Sequence, residues 1–254
     1  MRRFGLFTSS LLWFCAIATA GPVAHVLDTT NYNFQLDNGG GGAQAKLDKS
    51  QNLEIFCVDY ANDIYVPASG YSAYLTTITS TSDLSFTRFG DVTSWSTIAA
   101  GGALTSAEAT LINNVSGNGS ALGRYQMAAY LVSTYNLGGG NSPTNNGIQQ
   151  AIWDLLDPKT FSLFNTAAAD SALASAITWY NNNSATARDS LMANFRIVSD
   201  VTMTPCRTSS LLCGGFQEQI TVVPEPRHIA LMLMGLLVVG STVFRKLRTA
   251  RSDA

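Results

Sequence analysis

Residues 144–158 read TNNGIQQAIWDLLDP, and their spacing predicts a helix. Ile148, Ala151, Ile152 and Leu155 recur at helical intervals, and Pro158, which has no N–H to donate, stops the run. Segments of the same period lie on both sides. Over 120–136, Tyr125, Ala128, Ala129, Val132 and Tyr135 share a face, and over 166–181 Leu173, Ala176, Ile177 and Tyr180 do the same. Upstream, Thr105 and Glu108 make a capping box before Ala109, Leu111 and Ile112, so the helical block is expected over 104–194.

Further out the period changes to two. Residues 31–37 and 84–89 alternate, 52–60 contain LEIFCVDY, and 71–79 are rich in aromatic and β-branched side chains. Each predicts a strand. The glycine run 39–42 is expected to be a flexible loop between the first two strands. Beyond the helices, 195–203 and 216–223 return to strand patterning. There is no internal repeat at a period of about 20–50 residues. The expected class is α+β, with a strand-rich N-terminal part, a helical middle, returning C-terminal strands and a C-terminal transmembrane helix.

The two ends carry targeting patterns. Arg2 and Arg3, the apolar run 11–17 and Ala18-Thr19-Ala20 fit a signal peptide over 1–20, cleaved before Gly21. Cys15 is not read as a lipoprotein cysteine, because Leu12, Trp13 and Phe14 before it are too bulky. At the other end, IALMLMGLLVVGSTVF (229–244) is an uncharged run of sixteen residues followed by Arg245, Lys246, Arg248 and Arg251. A span ordinarily takes roughly 17–25 residues; Arg227 and His228 can extend this one by snorkelling. The basic cluster is expected on the cytoplasmic side. Val223-Pro224-Glu225-Pro226, then the apolar helix, then the Arg-rich end resembles the PEP-CTERM sorting signal of Gram-negative bacteria. In that family an exosortase recognises the tail and cuts near Pro224, Glu225 and Pro226. The expected organisation is a signal peptide (1–20), an ectodomain (21–222) and a sorting tail (223–254). The precursor would be membrane-anchored and the product would reach the cell surface or extracellular matrix.

Seven of the 15 Lys and Arg lie in these end segments, which leaves 8 basic against 15 acidic residues between Gly21 and Pro224, a net of −7. Nucleic acid is a poor partner for such a chain, since its binding rests on cations at phosphates. Charged residues make up 13% of the sequence, about half the usual share. Ser, Thr, Asn and Gly do the polar work, as suits an exported protein. The 204 residues from Gly21 to Pro224 are enough for one compact domain, or two small ones.

Three cysteines remain after removal of the signal peptide. Cys206 and Cys213 sit in a Pro- and Gly-flanked turn, TPCRTSSLLCGGF, and are expected to pair in an oxidising compartment. Such a bridge would stabilise the fold by about 2–3 kcal/mol through its small loop. Cys57 is left over. Counting leaves it an inert core side chain, an intermolecular linker or a reactive thiol.

Phe56-Cys57-Val58-Asp59, Tyr125-Gln126-Met127-Ala128-Ala129-Tyr130-Leu131 and Ile148-Gln149-Gln150-Ala151-Ile152-Trp153 together resemble the thioester domains of bacterial surface adhesins. The likeness spans about one hundred residues, and Ile148 stands where the family usually carries Thr. It implies an internal thioester between Cys57 and Gln149, 92 residues apart, formed by attack of the thiol on the side-chain amide with loss of ammonia. Helical geometry separates the two glutamines: Gln149 shares its side with Ile152, Trp153 and Leu156, whereas Gln150 shares its side with Trp153, Asp154 and Asp157. A thioester needs shielding from water, and Phe56 and Trp153 are placed to supply it. The bond itself is expected to be accessible at the surface.

Other chemistries find little support. His25 and His228 are the only histidines, neither placed for a Ser/His/Asp, Cys/His or zinc site. No phosphate loop follows a strand, and no cofactor or metal is called for. Asp59 and Asp63 beside Asn62 do not have calcium-loop spacing, so a solvated turn is expected. Sequons at Asn114, Asn118 and Asn182 are read as polar loops. The expected function is covalent adhesion to amine- or hydroxyl-bearing partners, a single reaction rather than enzymatic turnover. The alternative is a non-covalent surface or exopolysaccharide-matrix structural protein with an inert Cys57.

In a host that has the processing protease, replacing Pro224-Glu225-Pro226 by alanines should retain the apolar helix and trap the longer form on an immunoblot. Equal processing of the variant would reduce the tail to an ordinary anchor.

Overall fold

The computed structural model describes residues 23–37, 39–60, 64–90, 121–156, 166–202 and 215–223. Six strands, all paired antiparallel, close into a barrel: β1 (Ala24–Gln35), β2 (Gly41–Leu47), β3 (Gln51–Cys57), β4 (Ala68–Thr77), β5 (Phe195–Asp200) and β6 (Gln219–Val222). Their order around the barrel is β1-β2-β3-β6-β5-β4. Between β4 and β5 the chain contributes α1 (Ala121–Ser133), α2 (Pro143–Leu156), α3 (Ala167–Asn182) and α4 (Ala185–Met192). The α+β class and its sequence of strands, helices and strands are as expected.

A closed sheet has an inside and an outside, and two apolar clusters occupy them. Phe34, Phe56, Ile197 and Ile220 cluster with the helices, so theirs is the outer face. The lumen therefore belongs to Leu27, Ala43, Ala45, Leu53, Ile55 and Ala73, with further side chains from the same strands. Alanines suit a lumen this narrow, because opposite walls leave no room for larger side chains at every level.

β2 was not expected. Its sequence GGAQAKL is poor in β-forming residues, and its first residue, Gly41, belongs to the run read as a flexible loop. Tertiary packing overrides propensity here. Gly42 lies under Phe34 and Phe56, whose ring carbons would stand 3.0 and 3.2 Å from a Cβ. Gly41 has φ +130° and a Phe34 carbonyl 2.4 Å from the same imaginary atom. Only glycine fits.

Residues 84–89 form turns instead of a strand. Side chains take the backbone groups a strand would use: the Thr87 hydroxyl and N–H both donate to the Leu84 carbonyl, and the Phe89 N–H donates to the Tyr125 hydroxyl. α4 is the other unexpected element, started by Ser184, whose hydroxyl accepts from the Ala187 N–H at 3.3 Å.

α2 is buried almost all round rather than amphipathic: eleven of its fourteen residues are inside. It lies against both α1 and α3. Its polar side is absorbed as well, with Gln150 9% exposed and accepting from the Thr166 hydroxyl at 2.6 Å. Among the described residues no helix is long and apolar enough to cross a membrane. The signal peptide, the 105–108 capping box, Cys206, Cys213, Pro224-Glu225-Pro226 and the expected span 229–244 lie outside the described residues.

Gly147→Ala tests the contact between α2 and α3. Helix propensity alone would favour alanine by about 1 kcal/mol. The added Cβ, however, would stand 2.6 Å from Ala168 Cβ and 2.8 Å from its backbone carbon. Urea unfolding should show a net loss of about 1–3 kcal/mol; a gain would mean that the two helices separate freely.

Candidate functional site

Cys57 is the last residue of β3, and Gln149 sits in the middle of α2. The fold brings them together. The Gln149 Nε2 donates to the Cys57 carbonyl at 2.9 Å, while Gln149 is 0% and Cys57 4% exposed. The pair is therefore interior, which corrects the expectation of a surface-accessible bond. Among the described residues, a cleft reaches Cys57.

The Gln149 carbonyl oxygen accepts two bonds, from the Gly41 N–H at 3.0 Å and from the Tyr135 hydroxyl at 2.8 Å. Two donors converging on one carbonyl are the arrangement that stabilises negative charge on that oxygen when its carbon is attacked. The Gly41 N–H, which can only donate, and the Cys57 carbonyl, which can only accept, fix which end of the amide is oxygen. Burial holds the Tyr135 phenol well above its usual pKa, with the neighbouring Cys57 adding to the shift, so it stays a neutral donor.

Gly40 allows the close approach: a Cβ there would stand 2.4 Å from Gln149 Cγ and 2.6 Å from Cδ. The β1–β2 turn is pinned over the glutamine by bonds between Leu36 and Gly40 and between Gly39 and Leu36. Asn145 positions Tyr135 relative to α2. Its Nδ2 donates to the carbonyls of Asn136 and Gly140, at 2.9 and 2.8 Å, and its Oδ1 accepts from the Asn136 N–H.

Around the sulfur, the Trp153 Nε1–H donates to Cys57 Sγ at 3.3 Å, and Sγ donates to the Asp59 carbonyl at 3.4 Å. The Tyr60 ring meets Trp153 edge-on at 5.0 Å. Phe56 stacks on Tyr135 at 5.5 Å, and Phe34 packs on the same ring at 5.3 Å. Both residues chosen from sequence for shielding are thus at the site. Trp153 contacts the sulfur, whereas Phe56 covers the tyrosine. Gln150 faces Thr166 and takes no part.

Sequence reasoning missed Gly40, Gly41, Tyr135 and Asn145. Tyr135 was read only as a core face residue, and the glycine run as slack. The spacing of Asn145 and Gln149, one helical turn, was the available signal.

Asp59 also departs from expectation. It is 1% exposed and ion-paired to the fully buried Arg88 at 2.8 Å, not in a solvated turn. Next to it, Glu218 accepts from the Arg88 N–H at 2.7 Å, the Ser199 hydroxyl at 2.6 Å and the Tyr125 hydroxyl at 2.6 Å. The Glu218 carbonyl accepts from the Val58 N–H, which ties this cluster to the residue after Cys57. The described residues contain no group of three or more His, Cys, Asp or Glu able to hold a metal.

Compared with known proteins, the chain matches no family model, and no curated protein or solved structure is detectably similar to it.

Burial raises the Glu218 pKa to about 7, outweighing its three hydrogen bonds and the nearby Arg88 charge. Between the ordinary value of 4.5 and about 7, the folded protein holds a proton that the unfolded chain has released. This contribution to stability is complete below the lower value and is lost as pH rises through the upper one. Urea midpoints should therefore fall between pH 5 and pH 8, by up to roughly 3 kcal/mol. Glu218→Gln should flatten that decline; an unchanged slope would assign it to other groups.

Proposed function

We propose that this is an exported surface protein that attaches covalently to its partner through a thioester between Cys57 and Gln149, after sorting by an exosortase-type protease. One observation carries the reading: the side-chain amide of Gln149, buried beside Cys57, has its carbonyl oxygen held by the Gly41 N–H and the Tyr135 O–H. Any buried glutamine needs partners for its polar atoms; what favours chemistry is that two donors converge on the carbonyl oxygen while a cysteine lies beside the amide and a glycine is cleared for its Cδ.

In the formation step Cys57 Sγ attacks Gln149 Cδ, and the developing charge on Oε1 rests on the two donors. The C–N bond breaks, the thiol proton leaves with the nitrogen, and ammonia is released. The product carbonyl stays electrophilic because sulfur donates weakly into it. An arriving amine or hydroxyl then attacks the same carbon under the same two donors. The C–S bond breaks, and the sulfur leaves toward the Trp153 N–H, which can stabilise negative charge on it. The nucleophile's proton ends on sulfur, and the partner stays on Gln149. The protein is consumed once, so this is adhesion rather than turnover.

The burial of Gln149 changes what its removal does. Gln149→Ala leaves the Gly41 N–H and Tyr135 O–H without their acceptor inside the protein and should destabilise by roughly 2–4 kcal/mol. Cys57→Ala is the milder test of chemistry.

The purified chain, with its termini determined and any Cys206–Cys213 bridge counted, should weigh one ammonia less than its sequence. Methylamine should add its own mass at Gln149 and free the Cys57 thiol for alkylation. Cys57→Ala should abolish both effects, and Gln150→Ala neither. Tyr135→Phe should slow formation about 10²–10³-fold, and Gly40→Ala should prevent it by displacing the Gln149 side chain. A full-mass protein whose Cys57 alkylates before any amine is added would sink the mechanism.

A further inference from the structure

The cleft above Cys57 has a volume of about 300 Å³, at the small end of ligand pockets. It admits a ring-sized group and no folded surface. Tyr32, Gln35, Tyr65, Gln217 and Gln219 line it, with Cys57 among the lining residues. Two chemical features stand out: exposed phenol rings, and carboxamides, of which Gln217 and Gln219 lie further in.

The rings are exposed, Tyr32 at 46% and Tyr65 at 69%, although each is a large side chain with an apolar face. The amides are ordered. The Gln219 Nε2 donates to the Gln217 Oε1 at 2.9 Å, and the Gln217 Nε2 donates to the Asp59 carbonyl at 2.8 Å. That carbonyl is the one that accepts from Cys57 Sγ. A row of oriented amides therefore runs to the sulfur itself. Among the described residues, the lining contains no carboxylate, lysine, arginine or histidine.

This combination suits a pyranose. Its C–H face packs on an aromatic ring while its hydroxyls both donate to and accept from carboxamides. It suits a lysine side chain poorly. At pH 7 only about 1 in 2,500 such amines is unprotonated, and the ammonium would have to lose water and a proton in a cleft whose described lining offers it no anion. An amine on a sugar carbon beside an electron-withdrawing oxygen is less basic, for the same inductive reason that α-amines titrate near about 8. Much more of it arrives as the nucleophile. The net charge of −7 between Gly21 and Pro224 does not repel its protonated fraction.

We infer that the cleft is a sugar subsite and that the partner captured there is an amino-glycan, a polysaccharide bearing free amino sugars. The inference rests on the thioester reading. In the step, the sugar nitrogen bonds to Gln149 Cδ, the Cδ–Sγ bond breaks, one amine proton ends on Sγ, and a γ-glutamyl amide of the sugar remains.

The test uses the full chain in its ammonia-deficient form. D-glucosamine, Nα-acetyllysine and methylamine are compared by intact mass over time, with each rate divided by the free-base concentration. N-acetylglucosamine, which has no amine, serves as a competitor. Glucosamine should react at least tenfold faster than the lysine derivative, with a rate that saturates, and N-acetylglucosamine should slow it. Tyr32→Ala and Tyr65→Ala should each lower the ratio of the glucosamine rate to the methylamine rate about fivefold or more; an unchanged ratio in both would overturn the subsite. If methylamine opens the bond but glucosamine shows neither preference nor competition, the sugar subsite is overturned and the thioester stands. If lysine reacts faster, the partner is a protein amine. A full-mass chain inert to methylamine overturns both readings.

Discussion

The Gln149 carbonyl and its two donors couple parts of the molecule that are far apart in sequence. Gly41 comes from the start of β2, Tyr135 from the connection just after α1, and Gln149 from the middle of α2. None of these segments supports the bond alone. The barrel must close to bring the β1–β2 turn over the helices. Gly40 must lack a side chain for the turn to come down far enough. Asn145 must hold the loop between α1 and α2 so that Tyr135 points back at the helix that follows it. A buried amide is favourable only when its polar atoms are matched, and here the matching comes from three elements.

The sulfur side has its own support. Arg88, Asp59 and Glu218 form a buried polar cluster directly beyond the end of β3, and its hydrogen bonds run through Val58 and the carbonyl of Asp59. Burying these groups carries a desolvation penalty, countered for Arg88 and Asp59 by their pairing and only in part for Glu218 by its three donors. The cluster helps to make residues 84–89 a set of turns, since the N–H groups of Arg88 and Phe89 are spent on the side chains of Glu218 and Tyr125. It also fixes the end of β3, and so Cys57, against α2 and Trp153.

Protection and access are divided between two sides of the pair. Phe34, Phe56 and Tyr135 form an aromatic layer over the helix side of the barrel, and Tyr60 backs Trp153 at the sulfur. Among the described residues, the small cleft lined by tyrosine and glutamine approaches the sulfur. For the proposed thioester this division matters, because water competes with every partner. A bond approached through a narrow, hydrogen-bonding cleft meets groups that fit it more often than its chemistry alone would select.

Much of this was legible in the chain. Periods of 3.6 and 2 placed α1 to α3 and most strands, because apolar side chains recur on a buried side of each, although α2 is buried on its polar side as well. Cysteine counting left Cys57 open between inert and reactive; the resemblance to thioester domains paired it with Gln149, and the apolar neighbours of Gln149 on its helix favoured it over Gln150. The patterning of the two ends set the expectation of export. Other features depend on contacts between distant segments, which no local pattern encodes. β2 is a strand because Phe34 and Phe56 cover its glycines, not because Gly-Gly-Ala prefers to extend. Gly40 and Gly41 look like slack until a glutamine 108 residues from Gly41 is found against them. Tyr135 has the same apolar periodicity as its neighbours, and its hydroxyl acquires a role only when the fold turns it toward Gln149. Asp59 reads as a loop carboxylate until Arg88 is buried beside it. In each case the residue type and spacing are ordinary, and the function-bearing property is a distance set by the closure of the barrel on the helices.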